Sequence, residues 1–146
     1  MAEINHLIGI KGSLGDVYAA ISTVEGLKTW WTADTSGASE VGQTVHFRHG
    51  KPLGPDMKVT ELRTNELVKW TCIAHPGEWV GTEFTFALKE ENGQVNLRFT
   101  QAKWKEVTDM LAFCSTKWAT YLVGLKESIE TGRGRPYPHD LQTNHR

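Results

Sequence analysis

The chain has 146 residues, 39% of them hydrophobic and 23% charged, and a formal net charge of -1 at pH 7. That length suits one domain, which buries about 68–70% of its unfolded surface, and is too short for a two-domain enzyme of doubly wound or barrel type. The near-neutral charge supplies no basic field for nucleic acid or an anionic membrane. No apolar run approaches the ~18 residues of a membrane span, so no stable membrane insertion is expected, and no basic-then-apolar export signal opens the chain.

Six Trp, five Phe and three Tyr stand out. Aromatic mass on that scale needs either a dense core or a cavity to line. The two cysteines, Cys72 and Cys114, form no Cys-x-x-Cys pair, and no Asn-x-Ser/Thr acceptor occurs. Both features fit reduced thiols in a cytoplasmic protein rather than a disulfide-stapled secreted domain. His46 and His49, three apart on a strand, point to opposite faces, as do Cys72 and His75, so no metal site is expected.

In chain order, Ile4, His6, Ile8 and Ile10 alternate with Asn5, Gly9 and Lys11 as a first strand. Ser13 caps a short helix carrying Val17, Tyr18 and Ile21, and Thr23 opens a second with Val24, Leu27, Trp30 and Trp31. Neighbours on such a turn diverge by about 100°, so one of Trp30 and Trp31 is expected in the core and the other at a rim or lid. From about residue 32 to 101 the period is two. Inward sets are Val45 and Phe47; Met57, Val59 and Glu61; Val68, Trp70 and Cys72; Val80, Thr82, Phe84, Phe86 and Leu88; and Val95, Leu97 and Phe99. Glu91-Asn92-Gly93-Gln94 reads as a hairpin turn. One greasy face and one wet face imply an antiparallel sheet covered on one side.

Beyond Glu106 the period becomes helical through Val107, Met110, Leu111, Cys114, Trp118, Tyr121, Leu122, Leu125 and Ile129, and Gly132 closes the helix. The expected fold is α+β: about six or seven curved antiparallel strands wrapped on one long C-terminal helix, with two short helices after strand one. The domain is expected to span residues 1–132, and residues 133–146 to form a loosely docked or mobile tail.

This order is the helix-grip arrangement. Across residues 4–138 the chain resembles the SRPBCC superfamily of START-related and birch-pollen-allergen-like ligand binders. Within it, the similarity is to the branch of the C-terminal domain of the activator of the Hsp90 ATPase. The resemblance rests on Val17-Tyr18-x-x-Ile21, Gly26-Leu27-x-x-Trp30-Trp31, Val68-x-Trp70 and Glu78-Trp79-x-Gly81-Thr82-x-Phe84. Trp104, Phe113-Cys114-x-x-x-Trp118, Leu122-x-x-Leu125-Lys126 and Gly132-x-Gly134-x-Pro136 complete it. Members of this branch often carry His and Gly just before the final Trp, where this chain has Gln101-Ala102-Lys103-Trp104. Gln101 keeps a hydrogen-bonding group there and loses a titrating one.

The resemblance implies a pocket for a small apolar or amphipathic molecule, a lipid included, between sheet and long helix. Its expected walls are Trp30, Phe47, Val59, Trp70, Phe84, Phe86 and Phe99 facing Met110, Cys114 and Trp118. The alternative is that these side chains fill each other's space. Trp79 and Trp104 are read as rim residues or strand-end plugs. A chaperone partner is the second implied function, although no counterpart of the full activator's separate N-terminal domain is seen. A cyclase- or hydrolase-like enzyme is the third, resting on Glu61 and His49 as acid and base, against which both could simply lie at strand ends open to water. No nucleophile elbow, phosphate loop or dinucleotide pattern is found, and no catalytic residue, metal or cofactor is assigned. The tail's Gly132-Arg133-Gly134-Arg135-Pro136 matches the core of a minor-groove hook, but flanking acids make a helix terminator the better reading, and no nucleic-acid partner is expected.

Overall fold

The computed structural model of the protein describes residues 2–144. Seven strands form one antiparallel sheet: β1 (Ala2–Ile10), β2 (Thr35–Gly37), β3 (Thr44–Phe47), β4 (Asp56–Arg63), β5 (Leu67–Ala74), β6 (Glu83–Glu91) and β7 (Gln94–Trp104). Two short helices, α1 (Leu14–Ser22) and α2 (Val24–Leu27), follow β1, and the long α3 (Asp109–Thr131) follows β7. The spatial order is β1-β7-β6-β5-β4-β3-β2. Strands β2 to β7 are therefore a meander, and β1 returns to the edge beside β7. Helices α1 and α2 carry the chain from that edge to the opposite one, where β2 begins. This is the helix-grip α+β fold expected from the sequence.

Local chemistry sets the elements. Ser13 and Thr23 cap α1 and α2 by accepting the backbone N–H of Asp16 and Gly26. Thr108 does the same for α3 through Leu111, and Gly132 ends α3 with φ 78°. Asn92 and Gly93 both take positive φ in the two-residue turn between β6 and β7, as a hairpin twisted like its strands requires. Strands β5, β6 and β7 alternate strictly, burying Val68, Trp70 and Cys72, then Phe84, Phe86 and Leu88, then Val95, Leu97 and Phe99.

Four expectations are corrected. Trp30 and Trp31 are both buried, at 0% and 1% exposure. Helix α2 stops at Leu27, and the turn after it lies under α3 on one side and over the sheet on the other, so divergent rings both find cover. Trp30 donates its indole N–H to the Ala20 carbonyl at 2.8 Å, and Trp31 packs on Phe47 and Trp118 with centroids 4.0 and 4.8 Å apart. Second, Val80 is exposed because β6 starts only at Glu83, after a turn in which Thr82 N–H reaches the Trp79 carbonyl. Third, α3 starts at Asp109, which leaves Val107 outside it and Met110, 38% exposed, off its buried stripe. Fourth, β4 bulges between Val59 and Glu61, which takes Glu61 out of the inward alternation.

The motif glycine Gly26 marks a close approach. A Cβ there would meet the Ala19 carbonyl and the Ala20 backbone, and it is the Ala20 carbonyl that accepts the Trp30 indole N–H. Gly26→Ala is expected to cost about 1–3 kcal/mol by overpacking; equilibrium urea unfolding measures it, and an unchanged midpoint would contradict the contact.

For residues 133–146 the sequence predicts loose docking or mobility. Tyr137 donates its N–H to the Trp31 carbonyl and accepts from Ala33, bridging Thr32 in parallel. Arg135 pairs with Glu127 at 2.6 Å, and Lys117 with Asp140 at 2.6 Å. The arginine-glycine segment thus lies along the end of α3, and a Cβ on Gly134 would strike the Thr29 carbonyl.

Candidate ligand-binding site

The aromatic residues meet between sheet and α3. Trp118 reaches down from the helix onto Phe99, at 4.4 Å between centroids, and onto Phe84 at 5.7 Å. Trp70 lies against Phe47 and Phe86 at 5.5 and 5.0 Å. Of the residues expected to wall a pocket, Trp30, Phe47, Val59, Trp70, Phe84, Phe86, Phe99 and Trp118 come together here, none more than 2% exposed. Met110 stands apart, 38% exposed, whereas Cys114 is half-buried and packs against the edge of the core; both line a groove of about 320 Å³ shared with Phe113. Cys114 accepts the Trp79 indole N–H at 3.3 Å, and both cysteines are free thiols.

Gln101 is wholly buried, donating to the Thr82 hydroxyl, which donates to the Trp79 carbonyl. This chain of bonds ties β7 to the β5–β6 turn and gives the motif Thr82 its purpose. Thr82→Val leaves the Gln101 amide without that acceptor and is expected to cost about 1–3 kcal/mol, read as a shifted thermal midpoint. A midpoint at or above the parent's would contradict it.

An open cleft of about 290 Å³ lies at the β3-end of this ring layer, walled by Trp31, His49, Trp79, Lys117, Tyr121 and Tyr137. Five segments build it: the turn after α2, the loop after β3, the β5–β6 turn, the first half of α3 and the C-terminal segment. Lys117 and Tyr121, one helical turn apart, both reach the Asp140 carboxylate, Lys117 at 2.6 Å and the Tyr121 hydroxyl, donating, at 2.9 Å. His49 sits edge-on to Tyr137 at 5.2 Å and near Trp31 at 6.0 Å. His75 stacks flat on Trp79 at 4.6 Å.

Burial sets the charge states. Desolvation pulls His49 down to about 4, against the opposing pull of Asp140, so its imidazole is neutral at pH 7. His75 is lowered by the same cause. Burial, then the neighbouring Asp140 carboxylate, pushes the Tyr121 phenol up, keeping it a donor. Burial would raise Asp140, but bonds from Lys117 and Tyr121 outweigh it and hold the carboxyl below its ordinary value. The cleft therefore combines apolar rings, one ion pair and neutral donors, a mixture suited to amphipathic molecules.

Of the acid-base pair raised from the sequence, His49 lines this cleft while Glu61 binds Arg63 at 2.6 Å. His46 faces the other side of the sheet and binds Asp56 at 2.8 Å. Among the described residues no group of three or more His, Cys, Asp or Glu could hold a metal ion, and no helix is long and apolar enough to cross a membrane. Of the cleft's polar groups, His49 alone is legible in the sequence as a candidate acid-base group. The pair Lys117 and Tyr121 four residues apart on one helix face was the available signal.

Residues 11–130 match the family model described as Activator of Hsp90 ATPase homolog 1-like protein. The chain belongs to this family. Among solved structures, family member and fold agree: the chain is similar to the Aha1 dimer from Colwellia psychrerythraea, at 47% identity and a TM-score of 0.84, covering 92% of this chain and 100% of that one. It is also similar to a Staphylococcus saprophyticus protein (18% identity, TM-score 0.76, 91% and 95% covered) and to CalU16 from Micromonospora echinospora (18%, 0.73, 93% and 77%). At those two identities the likeness speaks for the fold alone. No curated protein matches the chain. Membership in the family fixes the SRPBCC-type architecture and, at that level, a ligand-binding or interaction module.

Proposed function

We propose that this family member binds a small apolar or amphipathic molecule at the end of the helix grip, in the cleft walled by Trp31, His49, Tyr121 and Tyr137. The observation that carries this reading is the junction of an aromatic layer with an ion pair and two neutral donors around about 290 Å³ of open space. That volume is near the lower end of small-molecule pockets. The expected walls Trp70, Phe84, Phe86, Phe99 and Trp118 act in this reading as the floor that keeps the cleft rigid. Binding is the role proposed, in a cytoplasmic setting that suits two free thiols.

The test is titration of nitrogen-labelled protein with medium-chain alcohols and aromatic acids, following the six tryptophan indole signals. Shifts at Trp31 and Trp79 with Trp30 unmoved are expected. Saturating shifts at Trp30 instead, or no shift with any compound, would overturn the reading.

A second reading is an interaction module. It is favoured by exposed apolar side chains at Val107, Met110, Phe113 and Leu141, and by the dimeric state named for the Colwellia psychrerythraea relative. The buried Trp30 and Trp31 take no part in such a surface. Stimulated ATP turnover of an Hsp90 chaperone that is lost in Phe113→Ser would support it, and unchanged turnover would count against it.

A further inference from the structure

The cleft and the outer groove are neighbours that share part of their walls. Lys117 and Gln142 border both; Asp140 faces the cleft, while Thr143 and Asn144 face the groove of Met110, Phe113 and Cys114. Upstream, Tyr137 is anchored by backbone bonds to Trp31 and Ala33. Beyond it, among the described residues, the side-chain hydrogen bonds tying residues 139–144 to the rest of the fold come from Lys117 and Tyr121, beside one backbone bond from the His139 N–H to the Pro136 carbonyl. Lys117 contacts both the Leu141 carbonyl and the Asp140 carboxylate, and Tyr121 donates to that carboxylate. The strap is thus held by two donors converging on one carboxylate, whose side chain is 4% exposed.

We propose that Asp140 is an internal stand-in for the carboxylate of a ligand, and that residues 139–144 form a strap which that ligand displaces. This rests on the ligand reading of the same cleft and names the ligand's class: a carboxylate carrying a medium-length aliphatic body. With the strap swung about the residues after Tyr137, the cleft and the 320 Å³ groove join along the first half of α3. The carboxylate takes the place of Asp140 on Lys117 and Tyr121, and the aliphatic body lies toward Met110 and Phe113. Charge selects the head group. Lys117 freed of Asp140 is the cation at this site, His49 being neutral at pH 7, so a carboxylate restores the pairing that the strap gives up, whereas an alcohol does not. Strap and ligand compete for the same donors, so affinity is reduced by the fraction of molecules with the strap closed.

The test compares decanoate with decanol in four chains: the parent, Asp140→Asn, Lys117→Gln, and a chain ending at Pro138. Affinities are measured by calorimetry, with far-ultraviolet circular dichroism verifying the fold of each. Asp140→Asn and the shortened chain are expected to bind decanoate about tenfold tighter than the parent, and Lys117→Gln to lose the preference for decanoate over decanol. Equal decanoate affinity in the parent, Asp140→Asn and the shortened chain overturns the strap exchange while leaving the ligand reading standing. So does a decanoate preference that survives in Lys117→Gln. Binding of neither compound by any chain overturns both.

Discussion

Trp31→Ala is expected to cost about 3–5 kcal/mol of folding stability, a large share of the roughly 5–15 kcal/mol a domain of this kind possesses. Trp31 joins the sheet side of the aromatic layer to its helix side. It meets Phe47 and Trp70 from the sheet and Trp118 and Tyr121 from α3, and is stacked beside Trp30. Truncation removes a large apolar surface and leaves a void whose neighbours, fixed on strands and a helix, collapse only partly. Urea unfolding with an unchanged slope reads the loss. Because Trp31 and Trp118 are in contact, the double variant should show a coupling of about 0.5–3 kcal/mol relative to the sum of the singles. A loss below about 1.5 kcal/mol, with no coupling, would mean that the space between sheet and helix is not packed by these rings.

The second large effect is acid sensitivity through His49. Its pKa falls from 6.5 to about 4 on folding because burial penalises the charged ring. Between these values the unfolded chain binds a proton that the folded one does not, so stability rises with pH across this window. It is fully present above about 6.5 and is lost as pH falls toward 4, by on the order of 3 kcal/mol in all. His75, also lowered, acts in the same direction. Asp140 and Asp56, lowered carboxylates, add stability that is lost only as pH falls further, through their folded values. Unfolding midpoints at pH 7, 6, 5 and 4 should drop steeply for the parent. They should drop less for His49→Gln, by about 3 kcal/mol at pH 4. Parallel curves would show that His49 is not held neutral in the cleft wall.

The fold was legible because most of its elements obey one local rule each. The two-residue alternation through Val95, Leu97 and Phe99 continues unbroken, and the helical stripe from Leu111 through Trp118 to Leu125 holds its spacing. Sequence pattern and structure part where a local rule stops earlier than the residue pattern does. The apolar pattern that extends to Val80 ends structurally at Glu83, because the Trp79–Thr82 turn intervenes. Glu61 keeps the parity of Val59 in sequence, but one extra residue in a bulge breaks it in space. The spacing of Trp30 and Trp31 reads as a helix with one buried side, whereas the pair lies in a turn sandwiched between two layers.

The cleft was largely illegible for a different reason. Its polar groups come from segments far apart in the chain, His49 and His75 from two loops, Lys117 and Tyr121 from α3, and Asp140 from the segment after it. Nothing in local spacing links Asp140 to Lys117; only the return of the chain past Tyr137, paired with Trp31 and Ala33, brings them together. The aromatic set was readable because apolar periodicity reports which face is buried. It does not report whether buried rings touch one another or enclose space, since that depends on the separation between sheet and helix.

The most direct measurement is a crystal structure of the protein grown with decanoate. The ligand is expected at the end of the grip, its carboxylate on Lys117 and Tyr121, with Trp31, Trp70 and Trp118 in their unliganded positions. Ligand found instead between the sheet and α3, among displaced Trp70, Phe86 and Phe99 rings, would contradict it.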